Sequence, residues 1–178
     1  MLENDQIILR AVEPEDIDFL YSSENDTSVW RYGDTLVPYS RFAIKQYIAN
    51  EQNDIYTNKQ FRFIICLKPG KEPIGTIDLF NFEPHHQRAS VGILIHDCKN
   101  QHHGYAAQSL ELLIEYCFSF LHLHQLHCTI AADNTHSIGL FTNAGFVQCG
   151  RLTDWLKTAD GFIDMIEFQK INTSEKQS

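Results

Sequence analysis

At 178 residues, 43% of them hydrophobic, the chain is long enough to bury one sizeable core and too short for two unrelated domains. A formal net charge of −9 lacks the basic footprint of a nucleic-acid binder and suits a cationic small substrate. Cys66, Cys98, Cys117, Cys128 and Cys149 are odd in number and form no Cys-x-x-Cys pair, which points to reduced thiols in a cytoplasmic protein. Met1 to Asp5 is polar and acidic and no run of about 18 apolar residues follows, so neither a secretion signal nor a membrane span is expected.

Gln6 to Val12 alternates apolar positions and predicts a strand, and Pro14 followed by acids marks a helix start. Ile17, Leu20 and Tyr21 share a helical face before a polar break at Ser22 to Ser28. A second helix is predicted over Arg41 to Asn53 with Phe42, Ile44, Tyr47 and Ile48 on its apolar side. Phe61 to Leu67 is dense in β-formers and closes on Pro69-Gly70, so a strand and a turn follow. Ile74 to Phe82 and Ala89 to His96 read as a hairpin across Glu83 to Gln87.

Ala106 to His122 carries Leu110, Leu113, Ile114, Cys117 and Phe118 at helical spacing, and His127 to Ala131 is a short strand. Asn134 to Ser137 offers a cap to a helix that Gly145 terminates. Two strands around Val147 to Leu156 and Phe162 to Gln169 complete one domain, residues 1–170, with a frayed polar tail over 171–178. Hairpins in the middle and helices between the other strands imply an α/β (α+β) fold with a mixed, mostly antiparallel central sheet and flanking helices.

The most informative stretch is Gln101-His102-His103-Gly104-Tyr105-Ala106, between a predicted strand and a long helix. A glycine opening a helix lets backbone approach a ligand, and the unpaired N–H groups of the first turn favour an anion such as phosphate. Gln101-x-x-Gly104-x-Ala106 follows Val91-Gly92-Ile93-Leu94-Ile95 and precedes Asn134-x-x-Ser137-Ile138-x-Leu140-Phe141-x-x-x-Gly145-Phe146. Together with Leu9-Arg10-Ala11-Val12-x-Pro14-x-Asp16 and Pro73-Ile74-Gly75-x-Ile77-x-Leu79, this order resembles the GCN5-related N-acetyltransferases (GNAT) over about residues 6–170. Within them it is most similar to the branch holding ribosomal-protein N-terminal acetyltransferases and spermidine acetyltransferases.

The resemblance implies acetyl-CoA as cosubstrate and direct attack of a primary amine, a polyamine or a protein or peptide N-terminus, on its thioester. It implies that the strand at Ile93, Leu94 and Ile95 splays from the strand at His127 to Ala131, and that its backbone pairs with the pantetheine arm. Main-chain N–H groups of Gln101, His102, His103, Gly104, Tyr105, Ala106 and Ala107 would wrap the pyrophosphate, with Asn134, Ser137 and Phe141 on the opposite side.

Two residues depart from the family pattern. His102 stands where a second glycine is common, and Phe141 stands where a tyrosine commonly protonates the leaving thiolate. Asp78, or Glu83 through water, is the candidate acceptor of the amine proton, because Ser90 at a position where some relatives carry glutamate is a poor base. Phe141 also supports the alternative of a catalytically degraded coenzyme A or acyl-CoA binding module.

Glu24, Asp26, Trp30, Tyr32 and Asp34 cluster after the first helix, where carboxylates beside aromatic faces suit an ammonium group. Nine histidines carry no His-Glu-x-x-His or cysteine-rich spacing, so no metal is expected. His96 reads as a satisfied histidine at a strand end and Cys98 as a packing thiol. A homo-oligomer is compatible with all of these features.

Overall fold

A computed structural model describes residues 2–30, 35–50, 54–96 and 98–173. Tyr32, Asp34, the end of the predicted second helix and the Cys98 side chain lie outside the described residues.

The chain begins with strands β1 (Leu2–Glu3) and β2 (Ile7–Ala11), then helices α1 (Ile17–Glu24), α2 (Thr27–Trp30), α3 (Arg41–Asn50) and α4 (Ile55–Asn58). Strands β3 (Phe61–Leu67), β4 (Glu72–Glu83) and β5 (Arg88–Ile95) follow. Helix α5 (Tyr105–Glu115), strand β6 (Gln125–Ala131), helix α6 (Thr135–Asn143) and the hairpin of β7 (Val147–Thr158) and β8 (Gly161–Ile171) complete it. The strands form one sheet in the order β1-β2-β3-β4-β5-β6-β8-β7. The β5–β6 pair is parallel and every other described pair is antiparallel, so the expected mixed, mostly antiparallel sheet is observed.

Strand alternation sends residues to two faces, and each face finds a different partner. Phe63, Ile65, Ile77, Leu79 and Val91 pack against Leu110, Leu113 and Cys117 of the α5 segment. On the opposite face Val12, Ile64 and Cys66 meet Leu20 of α1 and Ile44 and Ile48 of α3. The two clusters clamp the sheet from both sides and leave β7 at its margin.

Several boundaries differ from the expectation. β1, α2 and α4 are additional, each too short to show a period; Asp54 caps α4 by accepting the backbone N–H groups of Tyr56 and Thr57. The long helix does not run to His122 as α-helix. Its last turn widens to a π-helix over Tyr116–Phe120, and His122 takes a left-handed φ of 52°. The tail begins later than residue 170: Ile171 pairs with Gln125, and the buried Asn172 donates its backbone N–H to the His124 carbonyl at 2.8 Å.

Candidate active site

β5 pairs with β6 through Arg88, Ala89 and Ser90 opposite Gln125, Leu126 and His127, and no further. β4 continues to accompany β5 as far as Ile95, while β8 accompanies β6 as far as Ala131. The two strands therefore part after Ser90 and His127, and their facing backbone edges line a fork. At its apex the buried Ser90 hydroxyl receives the Asn81 amide at 3.2 Å and meets His127 Nε2 at 3.2 Å. Burial, with Arg88 nearby, holds the His127 imidazole below its ordinary pKa. That chain was not read from the sequence, because its members are remote in the chain and share no motif.

A cavity of about 340 Å³ occupies the fork and continues across the sheet to the end of α1. Ile93 and Leu94 line one wall, and Asn134, Ser137 and Phe141 the other. Asn134 Oδ1 caps α6 by accepting the Ser137 N–H at 3.1 Å, which leaves its amide nitrogen as the donor a ligand would meet. Phe141 is buried and sets its ring edge-on to Phe146 at 5.0 Å. Ile95 turns its side chain into the core, and its carbonyl accepts the Gln101 side-chain amide at 3.2 Å.

The Gln101–Ala107 segment rims the fork rather than lining that cavity. Gly104 adopts φ 80°, and a Cβ there would point into the open space before α5, meeting nothing closer than Gln108 Nε2 at 3.9 Å. The free N–H groups of the Tyr105, Ala106 and Ala107 turn are thus reachable by a bulky anion. His102 also has positive φ, at 63°, and its ring meets that of His136 in α6 at 5.4 Å, so the two sides of the fork touch at the rim. His103 bonds the Lys99 carbonyl through Nε2 at 3.1 Å and stacks on Tyr105.

On the other side of the cavity, Arg62 of β3 reaches Asp78 through two parallel bonds of 2.7 and 2.8 Å and also pairs with Glu24. Both carboxylates line the cavity with Trp30, whose indole N–H donates to the Glu24 carbonyl at 2.9 Å. Among the described residues, two carboxylates against one guanidinium leave this end net negative. Asp26 is placed differently from the expectation: it caps α2 through Ser28, which holds its carboxyl below the usual range, and it does not line the cavity.

Glu83 also separates from Asp78. It binds Arg88 through both oxygens at 3.0 Å and faces a second concavity with Lys59, His127, Cys149 and Glu167. His96 corrects the expectation of a satisfied histidine. His96 borders the cavity, but both of its ring nitrogens are buried away from it with no hydrogen-bond partner among the described residues, and the ring stands edge-on to Phe19 at 5.2 Å. No group of three or more metal-ligating side chains occurs among the described residues.

The chain matches the model of the acetyltransferase (GNAT) domain over residues 6–147, most of its length. It is 28% identical over 151 residues to a spermidine N(1)-acetyltransferase of Vibrio cholerae, covering 85% of this chain and 84% of that one. A spermidine N(1)-acetyltransferase of Escherichia coli K12 is 27% identical over 144 residues, covering 81% and 74%. Among solved structures, that of the Vibrio cholerae spermidine N-acetyltransferase with CoA and spermine superposes with a TM-score of 0.83 at 25% identity, covering 94% of this chain and 96% of that one. With the forked sheet and the glycine-opened helix already in place, the chain belongs to the GNAT family of acetyl-CoA-dependent N-acetyltransferases.

Proposed function

We propose that the amine acetylated here is a primary amine of a polyamine of the spermidine class. The observation that carries this reading is the continuity of one cavity from the β5–β6 fork to the Glu24 and Asp78 carboxylates. A donor lying in the fork and a polycation anchored at the acidic end would meet inside it. Named relatives that act on spermidine support the same acceptor class.

The residues present suit the cosubstrate. The unpaired edge of β5 at Ile93 and Leu94 offers backbone groups to an extended arm, and the open space over Gly104 admits a pyrophosphate onto the first turn of α5. Gln101, His102 and His103 form the rim, while Asn134, Ser137 and Phe141 form the facing wall. When bound, acetyl-CoA supplies an activated acetyl group as a thioester. The protein's task is to bring the amine nitrogen into line with that carbonyl, to shed water and to move one proton. Asp78 holds charge for the acceptor rather than acting as a base, since both of its oxygens are engaged by Arg62.

The decisive assay measures thiol release from acetyl-CoA with spermidine, a simple monoamine and a peptide with a free N-terminus. Spermidine is expected to give the highest kcat/KM, and Glu24→Gln to raise its KM several-fold with little change in kcat. Release with the peptide and none with spermidine would sink the polyamine reading. We also place the protein in the cytoplasm, supported by unpaired thiols at Cys66, Cys117, Cys128 and Cys149. Self-association is part of the same reading: a Vibrio cholerae spermidine N-acetyltransferase is dodecameric, and Val147, Trp155 and Phe162 of the marginal β7–β8 hairpin are exposed here.

A further inference from the structure

The fork is closed where Ser90 meets His127 and opens toward the C-terminal ends of β5 and β6, which lead into the first turns of α5 and α6. An arm laid along the β5 edge with its thioester in the cavity therefore carries its phosphates out through this mouth. Neither 101–107 nor 134–140, the segments that flank it, contains an arginine or a lysine. The Gln101 amide is already spent on the Ile95 carbonyl.

Two imidazoles stand across the mouth. His102, two residues before Gly104, and His136, in the first turn of α6, set their rings 5.4 Å apart at an interplanar angle of 64°. Both residues are exposed, and neither ring hydrogen-bonds another described residue. His103 beside them is different, with Nε2 committed to the Lys99 carbonyl and the ring stacked on Tyr105. His102 also holds φ 63°, a region that residues with a Cβ occupy sparsely. A contact between two solvent-exposed rings compensates that backbone weakly, whereas two ring N–H donors above an anion site give it a use.

We propose that His102 and His136 form a two-sided clasp on the diphosphate of the coenzyme. Each imidazole donates a ring N–H to a phosphate oxygen from its own side of the mouth, above the backbone N–H groups of Tyr105, Ala106 and Ala107. His102 then binds through its side chain as well as its backbone, and His136 is a binding residue to which no motif pointed. This inference rests on the placement of acetyl-CoA in the fork and is independent of which amine accepts the acetyl group.

Calorimetry on the full chain with CoA and with dephospho-CoA, which keeps the diphosphate and lacks the 3′-phosphate, tests the clasp. His136→Ala and His102→Gly, the latter suited to the backbone φ, should each raise Kd about 5–20-fold for both ligands, the loss expected from one charge-assisted hydrogen bond at an open site. His86→Ala removes a ring from a similar exposed pair, His85 and His86, in the turn between β4 and β5, and should bind both ligands as wild type does. In ³¹P spectra of the CoA complexes, the diphosphate resonances should differ between wild type and His136→Ala while the 3′-phosphate resonance stays in place. A His136→Ala Kd within twofold of wild type, or a loss seen with CoA and absent with dephospho-CoA, overturns the clasp. Ser137→Trp, which would fill one wall of the fork, separates the two readings. CoA binding that survives it overturns the placement of the donor in the fork and the clasp with it. Binding lost in Ser137→Trp and unchanged in His136→Ala overturns the clasp alone.

Discussion

Both oxygens of Asp78 are held by Arg62, and that pairing changes what the residue can do. From the sequence it is a carboxylate on a strand beside the substrate; in the folded protein it is half of a bidentate ion pair. The strand position was legible because Gly75-Thr76-Ile77 precedes it, whereas Arg62, sixteen residues away, was not connected to it. His96 reverses in the opposite direction, since a residue expected to be satisfied has no hydrogen-bond partner for its ring among the described residues. Arg10 and Asp16 show the structural use of the same chemistry. Arg10 Nη1 and Nη2 reach the two oxygens of Asp16 at 2.7 Å each, and Asp16 also accepts the Glu13 N–H at 2.8 Å. Burial opposes the Asp16 charge, but the Arg10 and Glu13 bonds outweigh it and hold the carboxyl below its ordinary value. With the folded pKa depressed, this stabilisation is fully present above the unfolded value near ~4 and is lost as pH falls through the folded one. Asp16→Ala is expected to cost about 2–3 kcal/mol by urea denaturation at pH 7, less than a fully buried pair because Arg10 is partly exposed. The difference from wild type should shrink below pH 4. An equal loss at pH 3 and pH 7 would show that the ion pair is not its source.

At the scale of elements, the fork is the feature that matters, and it depends on β4 and β5 staying together where β5 and β6 part. Gly75 allows that close approach, because a Cβ there would press on the Leu94 carbonyl oxygen and on Ile95. Gly75→Ala should therefore cost about 1–3 kcal/mol, the usual range for overpacking, and weaken CoA binding several-fold by displacing the backbone that faces the donor. Thermal unfolding and calorimetry check the two parts separately, and unchanged CoA affinity would detach this strand from cofactor binding. Long elements with clear periods were legible: β3, β5, α5 and α6 fall close to their expected places. β1, α2 and α4 span two to four residues and offer no period to read. The π-helical turn at Tyr116–Phe120 kept an apolar spacing close enough to α-helical to pass unnoticed.

For the whole molecule, the net charge of −9 and the carboxylates at one end of the cavity would act together on the polycationic acceptor proposed here. Long-range attraction raises the encounter rate and is screened over a Debye length of about 10 Å at 0.1 M salt. Raising NaCl from 50 to 500 mM should lower kcat/KM for spermidine at least several-fold while changing that for acetyl-CoA less. A flat salt response for spermidine would remove electrostatic guidance from the account. The amino-acid sequence by itself determined the fold class, the order of the main elements, the GNAT resemblance and the position of the glycine-opened loop before α5. These follow from periodicity and short motifs, which are local along the chain. Tertiary structure alone decided that Asp78 and Glu24 share Arg62, that Glu83 faces a different concavity, and that Asp26 serves as a cap. It also decided that the His96 ring nitrogens are buried without a partner among the described residues. Pairing, burial and separation join residues far apart in sequence, so they are fixed by how strands and helices pack and leave no pattern in the chain.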